Sequence, residues 1–459
     1  MKAALAVPAA HPRTALRRFA TMTLTLLSLA TLAGAAGAGS VPPAHRLEFG
    51  VEERVRTENW DNSTDFSVRT ADARHQWRFR TRAWARWNAG ANTELAFGLA
   101  DEDRKIVTPH SPLTWDETVI ETFYLDHRFT DGASVRVGRQ NLTRGDGFIL
   151  ADGSPLDGSR VAYFNAVDLG WTSGKSRLDL LVISDPNHDE YLPRIHDKAK
   201  PLVEWDENAV GLYWTDAGRP RCTFDAYYFY KTETGDTRPA TKPERQDDRW
   251  FHTLGGRVAR DLPRDWSVKA ELAGQAGVQR PGADILAWSA QASVKKSFAG
   301  AAKPSILIGW TGLSGDDPAT AANEGWDPLF SRYPKWSELY IYSLGSERGP
   351  SYWTNLSMGQ AEVRLTPVKP LELRATYYRM AAFRAMGAFR PFPVKPQLFG
   401  GGTLRGDLFA ARADYRLNDH WRGHVVGEYL APGDFYAGGD YGWFFRAEVL
   451  CTFQRSFSR

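Results

Sequence analysis

The chain has 459 residues, 42% of them hydrophobic, and 57 Lys and Arg against 54 Asp and Glu give a formal net charge of +3. The first 38 residues hold four of those basic residues and no acid, so the remaining 53 basic and 54 acidic residues balance. Total charge therefore gives no argument for nucleic acid or any other polyanionic partner; only the placement of charge can.

Lys2, Arg13, Arg17 and Arg18 precede an apolar run at 19–33, and Ala36-Gly37-Ala38 offers a small-residue cleavage site. Residues 1–38 read as a secretory signal peptide, leaving 39–459 as one domain. The apolar run falls short of the roughly 20 residues a spanning helix needs, and no other stretch approaches that length. If the chain enters a membrane, it does so with strands.

Residues 74–88, RHQWRFRTRAWARWN, carry the clearest signal. His75, Trp77, Phe79, Thr81, Ala83, Ala85 and Trp87 alternate with Arg74, Gln76, Arg78, Arg80, Arg82, Trp84 and Arg86. A strand sends alternate side chains to opposite faces, so one face is apolar and aromatic and the other nearly all arginine. The first face suits lipid and the second a basic, water-filled lumen, as in a transmembrane β-barrel.

Further alternating strands follow at 266–278, 286–294, 371–378, 409–417, 421–429 and 443–453, with weaker ones near 46–57, 93–101, 118–129, 134–140, 161–171, 177–183, 208–215, 222–231, 251–260, 305–313 and 356–366. The pattern predicts an all-β, antiparallel barrel of about 18 strands. Tight connections such as 130–133, 262–265 and 367–370 alternate with long ones at 58–73, 102–116, 141–159, 184–206, 232–249, 314–350 and 380–403. Short turns on one side and long loops on the other is the asymmetry of an outer-membrane barrel, and the long loops can fold inward as a plug or lid. The last strand ends on Phe453, and the tail QRSFSR after it is a departure from barrels that stop at the aromatic residue. Cys222 and Cys451 fall on apolar faces of distant strands and read as lipid-facing hydrophobes, not as a disulfide. The 17 Trp, 17 Tyr and 24 Phe suit interfacial girdles.

This parity turns Arg78, Arg80, Arg82, Arg86, Arg136, Arg374, Arg412, Arg416, Arg422 and Arg446 inward, with Glu271, Glu372, Asp414, Glu428 and Glu448, and with Glu121, whose own parity is ambiguous. Arginine stays charged at physiological pH and its fork of donors matches a carboxylate. Rings of arginine select anions in a pore. Ion pairing with the lumen acids accounts for many of these residues. Arg78, Arg80 and Arg82 are the hardest to neutralise this way, since no acid neighbours them on their own strand.

Gly138-Arg139-Gln140, Arg144-Gly145-Asp146-Gly147 and Asp157-Gly158-Ser159-Arg160 form a motif series continued by Ser314-Gly315-Asp316 and Trp326-Asp327-Pro328-Leu329-Phe330. Gly427-Glu428-Tyr429 and Pro432-Gly433-Asp434 close it. Together these motifs resemble the alginate-export family of outer-membrane barrels. The resemblance implies an 18-stranded monomer in the outer membrane with a basic constriction that secretes a polyuronate. It further implies wall arginines that clamp sugar carboxylates, with Arg139 and Arg160 the candidates in matching motifs, and loops that gate each end. Asp146, Asp316, Asp327 and Asp434 lie in the loop motifs, where Asp146 and Asp316 also read as loop-ordering residues. A related anionic polysaccharide or a small anion fits as cargo equally well, and a periplasmic export or scaffold protein could meet the short turns.

Rival readings are weaker. A hydrolase would recruit His188 or His196 beside Asp197, yet no nucleophile with a base partner accompanies them. Asp185, Asp189 and Glu190 could hold Ca²⁺ through hard oxygens but lack an ordered ligand spacing. No nucleotide, haem or structural-metal pattern occurs, so no cofactor is expected. A general or small-solute porin shares the fold, with 314–350 long enough to supply a constriction loop. A soluble periplasmic glycan-binding β-protein would place charges on the face read here as lipid-facing.

Overall fold

A computed structural model describes residues 46–115, 118–151, 163–187, 189–193, 195, 206–234, 248–280, 282–331, 336–340, 353–386 and 398–458. The leader, Asp157–Arg160, His188, His196 and Asp197 lie outside these residues.

The strands are β1 (Arg46–Asp61), β2 (Arg74–Asn88), β3 (Thr93–Thr108), β4 (Leu113–Trp115), β5 (Val119–Arg128), β6 (Ala133–Gln140), β7 (Phe164–Ser173), β8 (Ser176–Asp185), β9 (Asp206–Asp216) and β10 (Cys222–Thr234). There follow β11 (Arg249–Leu262), β12 (Trp266–Gln279), β13 (Ala283–Ser297), β14 (Ser305–Leu313), β15 (Leu356–Val368), β16 (Leu371–Ala381), β17 (Leu404–Arg416), β18 (Trp421–Pro432) and β19 (Gly442–Ser458). All pairings between these strands are antiparallel, and β1 pairs with both β2 and β19, which closes the sheet. The three-residue β4 meets β3 at Asp103–Lys105, beyond the β3–β5 pairing that stops at Ala100. It shares one wall position with β5, so the barrel has 18 strands. Closure leaves no edge whose N–H and C=O groups lipid would fail to satisfy.

The polarity is inside out relative to a water-soluble protein. Leu47, Phe49, Trp77, Trp87, Leu95, Phe97, Phe123, Trp171, Trp421, Phe445 and Val449 are exposed on the outer face. Arg54, Arg56, Glu58, Arg78, Arg80, Glu102 and Arg446 are buried on the inner one. Trp77 and Trp87 stand ten residues apart on β2, a girdle's separation for a tilted strand. The protein is thus an integral outer-membrane barrel.

Several boundaries differ from the sequence reading. β1 and β3 run several residues further toward the long loops than their alternation suggested. On that same side only three residues separate β12 from β13, and the Gly282 N–H donates to the Gln279 carbonyl at 2.9 Å. The tail after Phe453 is no departure, because β19 continues to Ser458 in register with Arg46. Phe457 keeps the parity of Phe453 and stacks on Phe49 with ring centroids 5.8 Å apart. Both cysteines are free, but Cys451 is buried on its face of β19 instead of exposed to lipid.

Two long loops fold into the lumen and pack on each other. Leu150 bridges Phe330 in parallel, the Phe330 N–H donates to the Ile149 carbonyl at 3.0 Å, and Ser331 Oγ donates to the Gly147 carbonyl at 2.6 Å. Phe148 stacks on Trp326 and meets Trp353 edge-on. The core of this barrel is therefore the contact between its inward loops and its wall.

Deleting residues 454–459 removes five cross-strand partners of β1 and the Phe49–Phe457 stack. Such pairs contribute about 0.2–1 kcal/mol each, so unfolding in lipid vesicles should be easier by on the order of 2–4 kcal/mol. Urea titration followed by tryptophan fluorescence checks this; an unchanged midpoint would mean that the tail pairing contributes nothing.

Candidate functional site: a charged lumen

The inner face of β1, β2, β3 and β19 carries a belt of buried charge. Arg80 stands in register with Arg54 on one side and Glu102 on the other, and Arg82 faces Glu52. Arg54 reaches Glu102 at 3.1 Å, Arg80 reaches Glu52 at 2.9 Å, and Arg78 binds Glu102 and lies 3.4 Å from Glu58. Arg446 Nε donates to Glu58 at 2.8 Å, and its Nη2 to Glu338 of the inward loop at the same distance. Arg82 pairs with Glu121, which fixes the inward parity of that acid.

This corrects the expectation for Arg78, Arg80 and Arg82. None is left without a carboxylate, because the acids arrive from neighbouring strands, not from their own. Like charges in register destabilise a ladder, and burial of a charge is costly unless it is paired. Arg54–Arg80 and Arg56–Arg78 do stand in register, and the interleaved Glu52, Glu58 and Glu102 supply the pairing that offsets this. Glu52, Arg54, Arg56 and Glu58 were not singled out in sequence, although they alternate with Val51, Val55 and Thr57.

Arg139 is likewise not open to a passing ligand. Its side chain is wholly buried, donates to both oxygens of Asp189 at 2.9 and 2.6 Å, and lies over the Tyr163 ring at 3.8 Å. It anchors the loop after β8. Asp185 accepts from the Asn165 backbone at 2.8 Å, so this carboxylate and Asp189 both hold protein donors. Among the described residues no cluster of three or more metal-ligating groups occurs.

The loop-motif acids order loops. Asp316 accepts from the Glu324 backbone at 3.0 Å and Asp434 from the Leu404 backbone at 2.8 Å. Asp327 is buried against Arg249 and Lys231; its own backbone N–H donates to Gln275 Oε1 at 3.0 Å and its carbonyl accepts from Gln275 Nε2 at 2.9 Å. Arg144 binds Asp168 and Asp179 of β7 and β8. Burial works against its charge, but these two acids outweigh it and hold the Arg144 pKa above the ordinary guanidinium value.

What remains accessible lies toward the short-turn mouth. Arg364, Arg374 and Arg412 stand side by side in register on β15, β16 and β17. Their acids, Glu362, Glu372 and Asp414, sit two residues away along the strands, not opposite them. The side chains of Arg364 and Arg374 are about a third exposed, whereas Arg412 is 16% exposed and donates from Nε and Nη2 to Asp414 at 2.9 Å. Arg86, Arg416 and Arg422 are each more than half exposed. Arg136 stands apart on β6, donating to Asp126 at 2.8 Å over the Tyr124 ring.

A closed 18-stranded barrel with an apolar belt outside and a charged lumen inside defines an outer-membrane channel. The alginate export family matches residues 45–441, and the chain belongs to it. No curated protein matches the chain in sequence. Among solved structures it is similar to Pseudomonas aeruginosa OprD, at 12% identity and a TM-score of 0.54 over 89% of this chain and 95% of that one. P. aeruginosa OccK5 (OpdH) gives 10% identity and 0.53 over 89% and 98%. P. aeruginosa OccK2 (OpdF), solved in complex with glucuronate, gives 11% and 0.52 over 90% and 96%. At this identity the likeness is one of fold.

Glu58→Gln takes the carboxylate charge from Arg56, Arg78 and Arg446 at once. Breaking a buried pair costs about 3–5 kcal/mol, whereas Arg374→Gln on the open wall should cost less than about 1 kcal/mol. Urea unfolding of the two variants in vesicles should separate them; equal losses would refute the division into locked and open arginines.

Proposed function

We propose that the barrel is an anion-selective channel that exports an anionic polysaccharide, an alginate-like polyuronate, through its arginine-bearing lumen. The observation that carries this reading is the in-register row Arg364–Arg374–Arg412. Adjacent strands lie about 4.8 Å apart, so a carboxylate between two of these guanidinium groups can accept from both. Arg56, Arg78 and Arg104 also stand abreast on β1–β3, but there Arg56 and Arg78 are buried, whereas the side chains of Arg364 and Arg374 are about a third exposed and can meet mobile anions. Membership of the alginate export family and a fold shared with a glucuronate-binding protein support the same class of cargo.

The chain itself supplies no energy. Arginine keeps its charge across physiological pH, so attraction is constant, and several cationic stations of modest strength let a polymer pass from one to the next. Arg86, Arg416 and Arg422 at the short-turn mouth gather the chain electrostatically. The locked belt of β1–β3 and β19 keeps the wall rigid. Outer-membrane lipid is the barrel's solvent, a single copy suffices for the pore, and a periplasmic export partner would meet the short turns. No step calls for catalysis or a cofactor.

The inward loops narrow the bore, and this favours a second reading, passage of a small uronate or other small anion. Conductance of the refolded barrel in planar bilayers decides. Anion-favouring reversal potentials are expected, with block by polymannuronate or polyguluronate that weakens several-fold in Arg374→Glu. Anion selectivity with passage of monomeric uronate and no polymer block would favour the small-anion channel. A pore without anion preference would overturn both.

A further inference from the structure

One contact in the lumen has the form of a ligand held by its receptor. The turn Arg144-Gly145-Asp146-Gly147 places Asp146 against the wall of β11 and β12. Arg257 Nε donates to Asp146 Oδ2 at 3.2 Å and Arg257 Nη2 to Oδ1 at 3.0 Å. Lys269 Nζ adds a third bond to Oδ1 at 3.0 Å. This is the two-point geometry in which a guanidinium binds a free carboxylate. We propose that Arg257 and Lys269 form a carboxylate site that Asp146 occupies in cis, and that a uronate of the transported chain displaces it. The inference rests on the polyuronate reading of the lumen and names one station within it.

The site is built independently of its occupant. Arg257 Nη1 is held by Asp225 at 2.7 Å, which leaves Nε and Nη2 facing the lumen. Gly145 has φ +56°, and a Cβ there would meet Tyr213 Oη at 2.8 Å and Arg257 Cδ at 3.2 Å. Only a glycine lets the turn come this close. A hollow of about 100 Å³ beside the pair is bordered by Gln291, Thr311 and Gln360, whose amides and hydroxyl suit sugar hydroxyls.

The contact is also exchangeable, unlike the buried contact that Asp327 makes from the other inward loop. The Asp146 side chain is 35% exposed and that of Lys269 49%, so solvent and solutes reach both. Asp327, holding Arg249 and Lys231, is 5% exposed and shut off. Displacing Asp146 leaves the turn tethered through Arg144 to Asp168 and Asp179. A carboxylate of the same charge can therefore replace Asp146 without unfolding the loop or leaving a buried charge unpaired.

The test compares block of the full-length channel in planar bilayers by oligomannuronate in wild type, Asp146→Asn, Asp146→Glu, Arg257→Gln and the Asp146→Asn/Arg257→Gln double variant. Removing an internal competitor should lower the half-blocking concentration in Asp146→Asn by about tenfold, within the usual span of coupling between competing ligands. Asp146→Glu should stay near wild type, Arg257→Gln should raise the concentration, and the double variant should lose the gain. Block of wild type and Asp146→Asn at the same concentration would overturn the self-occupied site and leave the export reading standing. Absence of block in every variant would overturn both. If Asp146→Asn does not insert, Arg257→Gln decides, and unchanged block there counts against the site.

Discussion

The pairing of β1 with β19 is the interaction on which the rest of this barrel depends. Sixteen consecutive residue pairs, from Arg46–Ser458 to Asp61–Trp443, join the two ends of the chain. In lipid an open sheet would leave a column of backbone donors and acceptors without partners, each costing several kcal/mol. Closure is thus a condition for insertion and not a refinement of it. It also completes the charge belt, since Glu58 and Arg446 meet only across this seam.

Once the wall is closed, its interior must be filled or wetted. The molecule does both in different zones. Toward the long loops, Phe148, Leu150, Trp326 and Phe330 fill the bore with a small apolar core hung on the wall. Toward the short turns the wall is left polar and accessible. The arginines divide the same way: those beneath the inward loops are buried and share carboxylates such as Glu58 and Glu102, and Arg86, Arg364, Arg374, Arg416 and Arg422 nearer the open mouth are more exposed. Selectivity in such a pore resides in the more exposed set, because a buried, paired guanidinium offers a mobile anion little.

The outline of the barrel was legible in the sequence because lipid and lumen impose a two-residue period, and residues 74–88 carry it without interruption. The pairing of charges was not legible, for a physical reason. Whether Arg80 is free depends on what stands across from it on β1 and β3, and register is a property of strand pairs. The same limit hid the Arg364–Arg374–Arg412 row, whose members are separated by loops of different length. Arg139 was misread because its motif marks a loop anchor as readily as a clamp; only Asp189, fifty residues on, tells them apart. The tail beyond Phe453 was legible in principle, since Phe457 keeps the alternation.

The Arg144–Asp146 turn has a mechanical side. A thin-walled tube resists bending along its axis far better than it resists being squashed across it, and membranes squeeze from the side. The turn is fixed to β7 and β8 through Arg144 and to β11 and β12 through Asp146. It works as a brace between two arcs of the circumference. The arc from β14 to β18, where Arg364, Arg374, Arg412, Arg416 and Arg422 lie, receives no bond from that brace. Under lateral pressure the bore should ovalise on that side first, so the compliant part of the tube is the part that faces the cargo.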